Sequence, residues 1–199
     1  MTDAGFPDRR TDPVGPQPDL RIVSRRVYRG PNVWHYDKAI QLVVDLGTLE
    51  SFPSDKLPGF TERLLDLLPG LVNHSCSRGH KGGFVERLNE GTWMGHIAEH
   101  VALQLQQSVG HDLRRGKTRQ VTGRRGVYNV IFAFFDENVG LAAGDLAVRL
   151  VNHLVQAEEG FDFAAELEQF IVRGERSAFV RRPRPSWTRR SPATSRGSG

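Results

Sequence analysis

The run from Val127 to Phe135, VYNVIFAFF, constrains the fold more than any other stretch of the 199-residue chain. Its β-branched and aromatic residues favour a strand, and its nearly continuous apolar character indicates that the strand is buried. Nine residues fall far short of the roughly 20 that a membrane-spanning helix needs, so we expect no membrane partner. The chain must therefore supply neighbouring strands and a covering layer of helices.

Two more strands are predicted near the N-terminus, because residues 22–28 alternate between apolar and polar and residues 39–47 form an apolar run. Apolar residues at helical spacing predict four helices. The first covers 60–74 with a break at Pro69-Gly70, and the second runs from a cap at Thr92 to residue 107. The other two cover 138–156 and 161–172. The mixture predicts an α+β fold in two layers, a small sheet with helices packed on one face.

The distribution of charge separates one domain from two tails. Residues 1–20 carry a net charge of −2 and residues 174–199 a net charge of +6, whereas residues 21–173 hold 18 basic and 18 acidic side chains. Both tails are poor in apolar residues and are expected to be disordered. The neutral domain at 21–173 argues against nucleic acid as a partner. With Cys76 as the one cysteine, no intrachain disulfide can form and a cytoplasmic location is expected.

The sharpest chemical signal is His96-Ile-Ala-Glu99-His100, which has the order H-x-x-E-H of the inverted zincins. On a helix, His96 and His100 lie one turn apart on the same face, so their imidazoles can converge on one zinc ion. Glu99 lies beside them as the candidate catalytic general base. The competing interpretation is a helix that carries two solvent-facing histidines.

A third metal ligand must come from elsewhere in the chain. Glu137, which follows the predicted buried strand, is the preferred candidate, and Asp136 and Asp145 are alternatives. Cys76 also invites a thiolate or metal interpretation, but an incidental or buried cysteine is the favoured one.

Two basic features are candidates for anion binding. Lys81-Gly82-Gly83 lacks the spacing of a phosphate-binding loop and is therefore interpreted as a turn. The basic segment Arg114–Arg125 either holds an anionic ligand or forms a solvated hairpin, and the sequence leaves both hypotheses open.

Four stretches together resemble the N-terminal domain of bacterial cyanophycin synthetase. They are RGPNVW (29–34), LPGFTERL (57–64), the segment from His74 to Gln106 and the segment from Gly126 to Val151. The resemblance covers about residues 21–172 in order, which is essentially the whole expected domain. It implies a fold similar to an inverted-zincin metallopeptidase-like domain.

The family builds a polymer with a poly-aspartate backbone and an arginine on each side-chain carboxylate, by ATP-dependent steps in two domains that follow the N-terminal one. The resemblance therefore implies cyanophycin as the bound polymer, a full-length synthetase as a partner, and no ATP site or ligase activity in this chain. Some members are also similar to a small zinc metallopeptidase that trims the polymer into primers. His96, Glu99 and His100 match that motif, whereas Ala133 replaces an acid that is frequent in the family.

The polymer carries guanidinium groups and carboxylates, and a neutral domain with patches of both signs suits such a ligand. By charge alone, Glu86 and Glu90 are expected to meet guanidinium groups. Basic side chains are expected to bind the carboxylates, and these residues are Arg78, Lys81, Arg87, Arg114, Arg115 and Arg119. Polymer binding without catalysis is the first hypothesis, zinc-dependent hydrolysis the second and a non-functional remnant the third.

The Arg-rich sequence after Phe179 suggests an origin for the C-terminal tail. When the tail is back-translated and read one base earlier, its codons can be chosen to encode Gly-Pro-Ser-Thr and later Ile-Pro-Trp. This is similar to the segment that continues the family's N-terminal domain. We hypothesise that a frameshift truncated a longer synthetase gene after Phe179.

Overall fold

The structure, a computed structural model, describes residues 15–156 and 160–180. Its strands and helices, in chain order, are β1 (Arg21–Tyr28), β2 (Ala39–Asp45), α1 (Phe60–Leu67), α2 (Gly83–Glu90), α3 (Met94–Ser108), β3 (Gly116–Gln120), β4 (Val127–Ala133), α4 (Glu137–Val155) and α5 (Phe163–Val180). Short 3₁₀ turns lie at Gly47–Ser51, Ser54–Lys56, Pro69–Asn73 and Cys76–Arg78. No helix in the described part of the chain has the length and apolar character to cross a bilayer.

The four strands form one antiparallel sheet in the order β1-β2-β4-β3. The register of β2 with β4 places Ile40 opposite Phe132 and Leu42 opposite Val130. These four side chains are buried, and they belong to the sheet face on which α3 and α4 pack. The predicted α+β architecture, a small sheet with a layer of helices, is therefore confirmed.

Strand β3 is the element that the sequence pattern does not predict as a strand. Its residues, GKTRQ, show no alternation of apolar and polar side chains. Four of the five are exposed to solvent, so the core does not require such a pattern. The strand is held by its backbone pairing with β4. The basic segment 114–125 thus contributes the first strand of a hairpin.

Helix α4 approaches the sheet closely at two glycines that lie one turn apart. A Cβ atom on Gly144 would lie 2.8 Å from Leu42 Cδ1 and 3.1 Å from Phe132 Cζ. A Cβ atom on Gly140 would lie 2.6 Å from Ile40 Cδ1. The lack of a side chain at these two glycines therefore sets the distance between the helix layer and the sheet.

The ordered domain extends past both limits expected from composition. At the N-terminal side, Asp19 accepts a hydrogen bond from the backbone of Thr48 at 3.0 Å, and the backbone of Leu20 forms two hydrogen bonds with the Asn152 side chain. At the C-terminal side, α5 continues to Val180 instead of ending near 172. Most of the two tails expected to be disordered lies outside the described residues.

Replacing Gly144 by Ala should lower the free energy of unfolding by about 1–3 kcal/mol, because the added methyl group overpacks the contact with Leu42 and Phe132. Asn138→Ala is the matched control, since Asn138 lies on the same helix with an exposed side chain, and it should change stability by less than about 0.5 kcal/mol. Urea-induced unfolding measures both variants. Equal stability of Gly144→Ala and the wild-type protein would contradict the close contact.

Candidate metal centre

Helix α3 brings its two motif histidines together in its first two turns. The helix begins at Met94, and the Thr92 hydroxyl, expected to cap it, instead lies 2.9 Å from His96 Nδ1. The ring centroids of His96 and His100 are 4.8 Å apart. Because His100 is 5% exposed, the interpretation of two solvent-facing histidines does not hold.

Cys76 joins the two histidines from a different part of the chain. Its Sγ lies 3.2 Å from His96 Nε2, and one donor atom from each of Cys76, His96 and His100 lies within 4.8 Å of the others. Cys76 has a φ of +52°, which places it in the left-handed region that residues with a side chain rarely adopt. The structure therefore places Cys76 with the two histidines, which favours the thiolate or metal interpretation of this cysteine.

None of the three acids expected to supply the third ligand belongs to this group of donor atoms. Glu137 instead forms a bidentate ion pair with Arg29, which follows directly after β1, with both N–O distances at 2.7 Å. Asp145 pairs with Arg25 of β1 at 2.6 Å. Asp136 caps α4 by accepting two backbone N–H bonds. These partners hold all three carboxylates at α4, and Cys76 is the residue that lies with the two histidines.

A chain of hydrogen bonds determines which ring nitrogen of His100 carries the proton. Gln104 Oε1, which only accepts, lies 3.1 Å from His74 Nε2, so this nitrogen carries a proton. His74 Nδ1 is then the acceptor for the Nδ1–H of His100 at 2.9 Å. The Nε2 lone pair of His100 is left for a metal ion, while Phe84 stacks on the His100 ring with centroids 3.9 Å apart.

Burial keeps these imidazoles neutral, because desolvation disfavours their charged form. It lowers the pKa of His96 to about 4, with a further contribution from the positive charge of Arg87. It also lowers the pKa of His100 well below its usual value and lowers the pKa of His74. Neutral imidazoles bind a metal ion without first losing a proton.

Glu99 lies on α3 beneath strand β3, and it is 4% exposed. Thr118 Oγ1 donates a hydrogen bond to Glu99 Oε2 at 2.6 Å. A Cβ atom on Gly116 would overlap Glu99 Oε1, so glycine at this position leaves room for the carboxyl group. Desolvation raises the pKa of Glu99 to about 7. A carboxyl group with such a pKa can accept and release a proton near neutral pH.

The cluster and Glu99 line one pocket of about 710 Å³. Four of the six basic residues expected to contact a polymer also line it, namely Arg87, Arg114, Arg115 and Arg119, and Lys117 joins them. Arg78 and Lys81 do not line the pocket, and Arg78 pairs with Glu90 on α2. Glu86 and Glu90 likewise lie outside its lining.

The donor set fits zinc by its chemistry. Imidazole nitrogen and thiolate sulfur are ligands that zinc prefers, and three protein ligands leave one tetrahedral position open. Hydrogen bonds from outside the cluster orient both rings, through Thr92 for His96 and through His74 for His100. Such support is typical of histidines that bind metal ions.

Comparison with known proteins agrees with the four resembling stretches. The cyanophycin synthase-like N-terminal domain family matches residues 41–156. The chain belongs to this family. Over 138 residues, it is 46% identical to a cyanophycin synthetase of Geminocystis herdmanii and 48% identical to one of Synechocystis sp., and each alignment covers 68% of this chain and 16% of the relative. A cyanophycin synthetase of Crocosphaera subtropica is 45% identical over 152 residues, which are 75% of this chain and 17% of that protein.

The chain thus spans about one sixth of the length of these relatives. The range matched by the cyanophycin synthase-like family runs from β2 to α4 and contains Cys76, His96, Glu99 and His100. Motif, pocket and family match therefore coincide in the same part of the molecule.

In the metal-free domain, Glu99→Gln should remove a cost of burying an ionisable carboxyl group. The pKa of Glu99 is about 7 in the folded protein against an ordinary value of 4.5. Between these values the unfolded chain binds fewer protons than the folded one, so the stability of the wild-type protein falls as pH rises, until the folded carboxyl group also ionises. Between about pH 5 and about pH 8, the stability difference in favour of the variant should therefore grow by about 2–3 kcal/mol.

Denaturant unfolding in the presence of a chelator measures this difference. Parallel stability curves for the two proteins would contradict the raised pKa of Glu99.

Proposed function

We propose that this domain binds cyanophycin, the aspartate–arginine polymer, in the pocket beside α3. The lining of the pocket carries the proposal, because five cationic side chains surround one space of about 710 Å³. Arg87 comes from α2, Arg114 and Arg115 precede β3, and Lys117 and Arg119 belong to β3. A pocket of this volume admits several side-chain groups of an extended chain.

The charge of the pocket suits the carboxylates of the polymer. Among the described residues, Arg115, Lys117 and Arg119 take part in no ion pair. The two acidic residues of the lining oppose them weakly, because Asp112 pairs with Arg114 at 2.9 Å and the raised pKa of Glu99 keeps it largely protonated below neutral pH. Guanidinium groups bind carboxylates bidentately, so the arginines are the expected contacts.

Arg115→Ala and Arg119→Ala should each weaken the binding of soluble cyanophycin fragments by about ten-fold, because each removes a charged hydrogen-bond donor from the pocket. Arg124→Ala is the matched control, since Arg124 is exposed in the same basic segment but does not line the pocket. Isothermal titration calorimetry measures the affinities. An equal loss in all three variants would contradict binding in this pocket, because it would trace the affinity to overall charge.

A second function, zinc-dependent cleavage of the polymer backbone, is favoured by the donor cluster at the same pocket. Cys76, His96 and His100 would hold the zinc ion. Such an ion would supply Lewis acidity toward a carbonyl oxygen and a water molecule. Glu99 would accept the proton of the attacking water and pass it to the leaving amine. Thr118 holds Oε2 of that carboxyl group in place for this transfer.

The purified, untagged protein should contain about one zinc per chain, and His96→Ala should lose most of it because two protein ligands hold zinc far more weakly than three. His80→Ala is the control, since this exposed histidine lies on the same loop outside the cluster. Glu99→Gln should keep its zinc and lose the release of short fragments from cyanophycin. Elemental analysis that finds no zinc, even after reconstitution, would contradict the hydrolase and leave polymer binding as the function.

We further propose that the domain acts in trans on polymer made by a full-length synthetase. A protein that binds neither zinc nor polymer would instead fit the remnant hypothesis, with a frameshift as its origin. Residues 181–199, which carry most of the frameshift argument, lie outside the described residues. The likeness of the fold to inverted zincins also stays a prediction.

A further inference from the structure

Strand β3 forms one edge of the sheet, and this edge borders the pocket. Within the described residues, β3 pairs with β4 and with no other strand. Four of its five residues, Gly116, Lys117, Thr118 and Arg119, line the pocket. An extended ligand in the pocket would therefore lie next to the unpaired side of β3.

The register with β4 determines which backbone groups of β3 point away from the sheet. Ala133 N donates to Arg115 O at 2.9 Å, and Val121 N donates to Val127 O at 2.8 Å. In an antiparallel pair, residues that bond the partner strand alternate with residues whose N–H and C=O groups point away from it. The outward-pointing groups therefore belong to the even-numbered residues, Gly116, Thr118 and Gln120.

We propose that the peptide backbone of the bound polymer adds to β3 as a fifth strand and forms hydrogen bonds with these outward-pointing groups. The proposal rests on the proposed function, since cyanophycin has a poly-aspartate backbone. Strand addition is a common mode of peptide recognition, in which main-chain hydrogen bonds supply affinity. The added strand would run beside Glu99, because Thr118 bonds its carboxyl group and Gly116 has no side chain to cover it.

The charges of β3 favour this acidic partner over a second copy of the chain. Lys117 and Arg119 are exposed and two residues apart, so they lie on the same face of the strand. In an edge-to-edge pair of two copies, these cations would approach one another and destabilise the pairing. Arg119 already lies along the edge, where its Nη1 donates to the C=O of Thr118 at 3.0 Å, and a carboxylate of the polymer would meet it there.

Amide hydrogen exchange followed by NMR tests the added strand without any substitution. In the free protein, the amides of Lys117 and Arg119 bond β4 and should exchange slowly, whereas outward-pointing amides exchange faster. A synthetic fragment of about four aspartate–arginine units should slow the exchange of the Gly116, Thr118 and Gln120 amides by at least about ten-fold. The amides of Lys117 and Arg119 should change little.

Gln120→Pro supplies an independent measurement, because proline removes one outward N–H and leaves the bonds to β4 in place. This variant should bind the fragment about five- to ten-fold more weakly, as expected for one lost hydrogen bond. Gln120→Ala keeps the N–H and should bind as the wild-type protein does. Should the proline variant fail to fold, the exchange measurement on the wild-type protein decides the question.

Three outcomes would overturn the proposal. Calorimetric binding of the fragment without added protection at the three amides would exclude strand addition and leave polymer binding intact. A fragment that does not bind the wild-type protein would overturn both the proposed function and the added strand. Protection that is already present in the free protein and rises with protein concentration would assign the edge of β3 to a second copy.

Discussion

Helix α3 is buried on almost every side, and the properties of the site depend on that burial. Eleven of its fifteen residues are buried, and the helix packs against β3, β4 and α4. Ile97, Val101 and Leu105 fill the core, and the same packing removes water from His100 and Glu99. The low pKa of His100 and the pKa of about 7 at Glu99 both follow from this desolvation. On a surface helix, the same motif would consist of ordinary solvated side chains.

Buried polar groups are stable only with hydrogen-bond partners, and these partners organise the surroundings of α3. Gln104 and His74 orient the ring of His100, and Thr92 bonds that of His96. Strand β3 does the same for Glu99 through Thr118. The hairpin of β3 and β4 therefore has two roles, since it covers one side of the site and supplies two basic side chains of the pocket, Lys117 and Arg119.

The sequence predicts β1, β2, β4, α1, α3 and α4, because each carries an apolar pattern that the core requires. It misses β3, whose side chains are exposed and whose stability comes from backbone pairing with β4. It finds His96, Glu99 and His100 through their fixed helical spacing, but Cys76 reaches His96 from a turn 20 residues earlier, a distance that no spacing rule describes. From the sequence alone, Glu137 is a reasonable third ligand. The pairing of β1 with β2, which the sequence does not show, brings Arg29 within reach of the Glu137 carboxylate.

We propose that burial and hydrogen bonding hold Cys76, His96 and His100 ready to bind one zinc ion. X-ray absorption at the zinc edge of the reconstituted protein tests it most directly. We expect one sulfur ligand at about 2.3 Å and two imidazole nitrogens at about 2.0–2.1 Å, with the sulfur lost in Cys76→Ser. A spectrum with nitrogen and oxygen ligands alone, or one unchanged in Cys76→Ser, would contradict it.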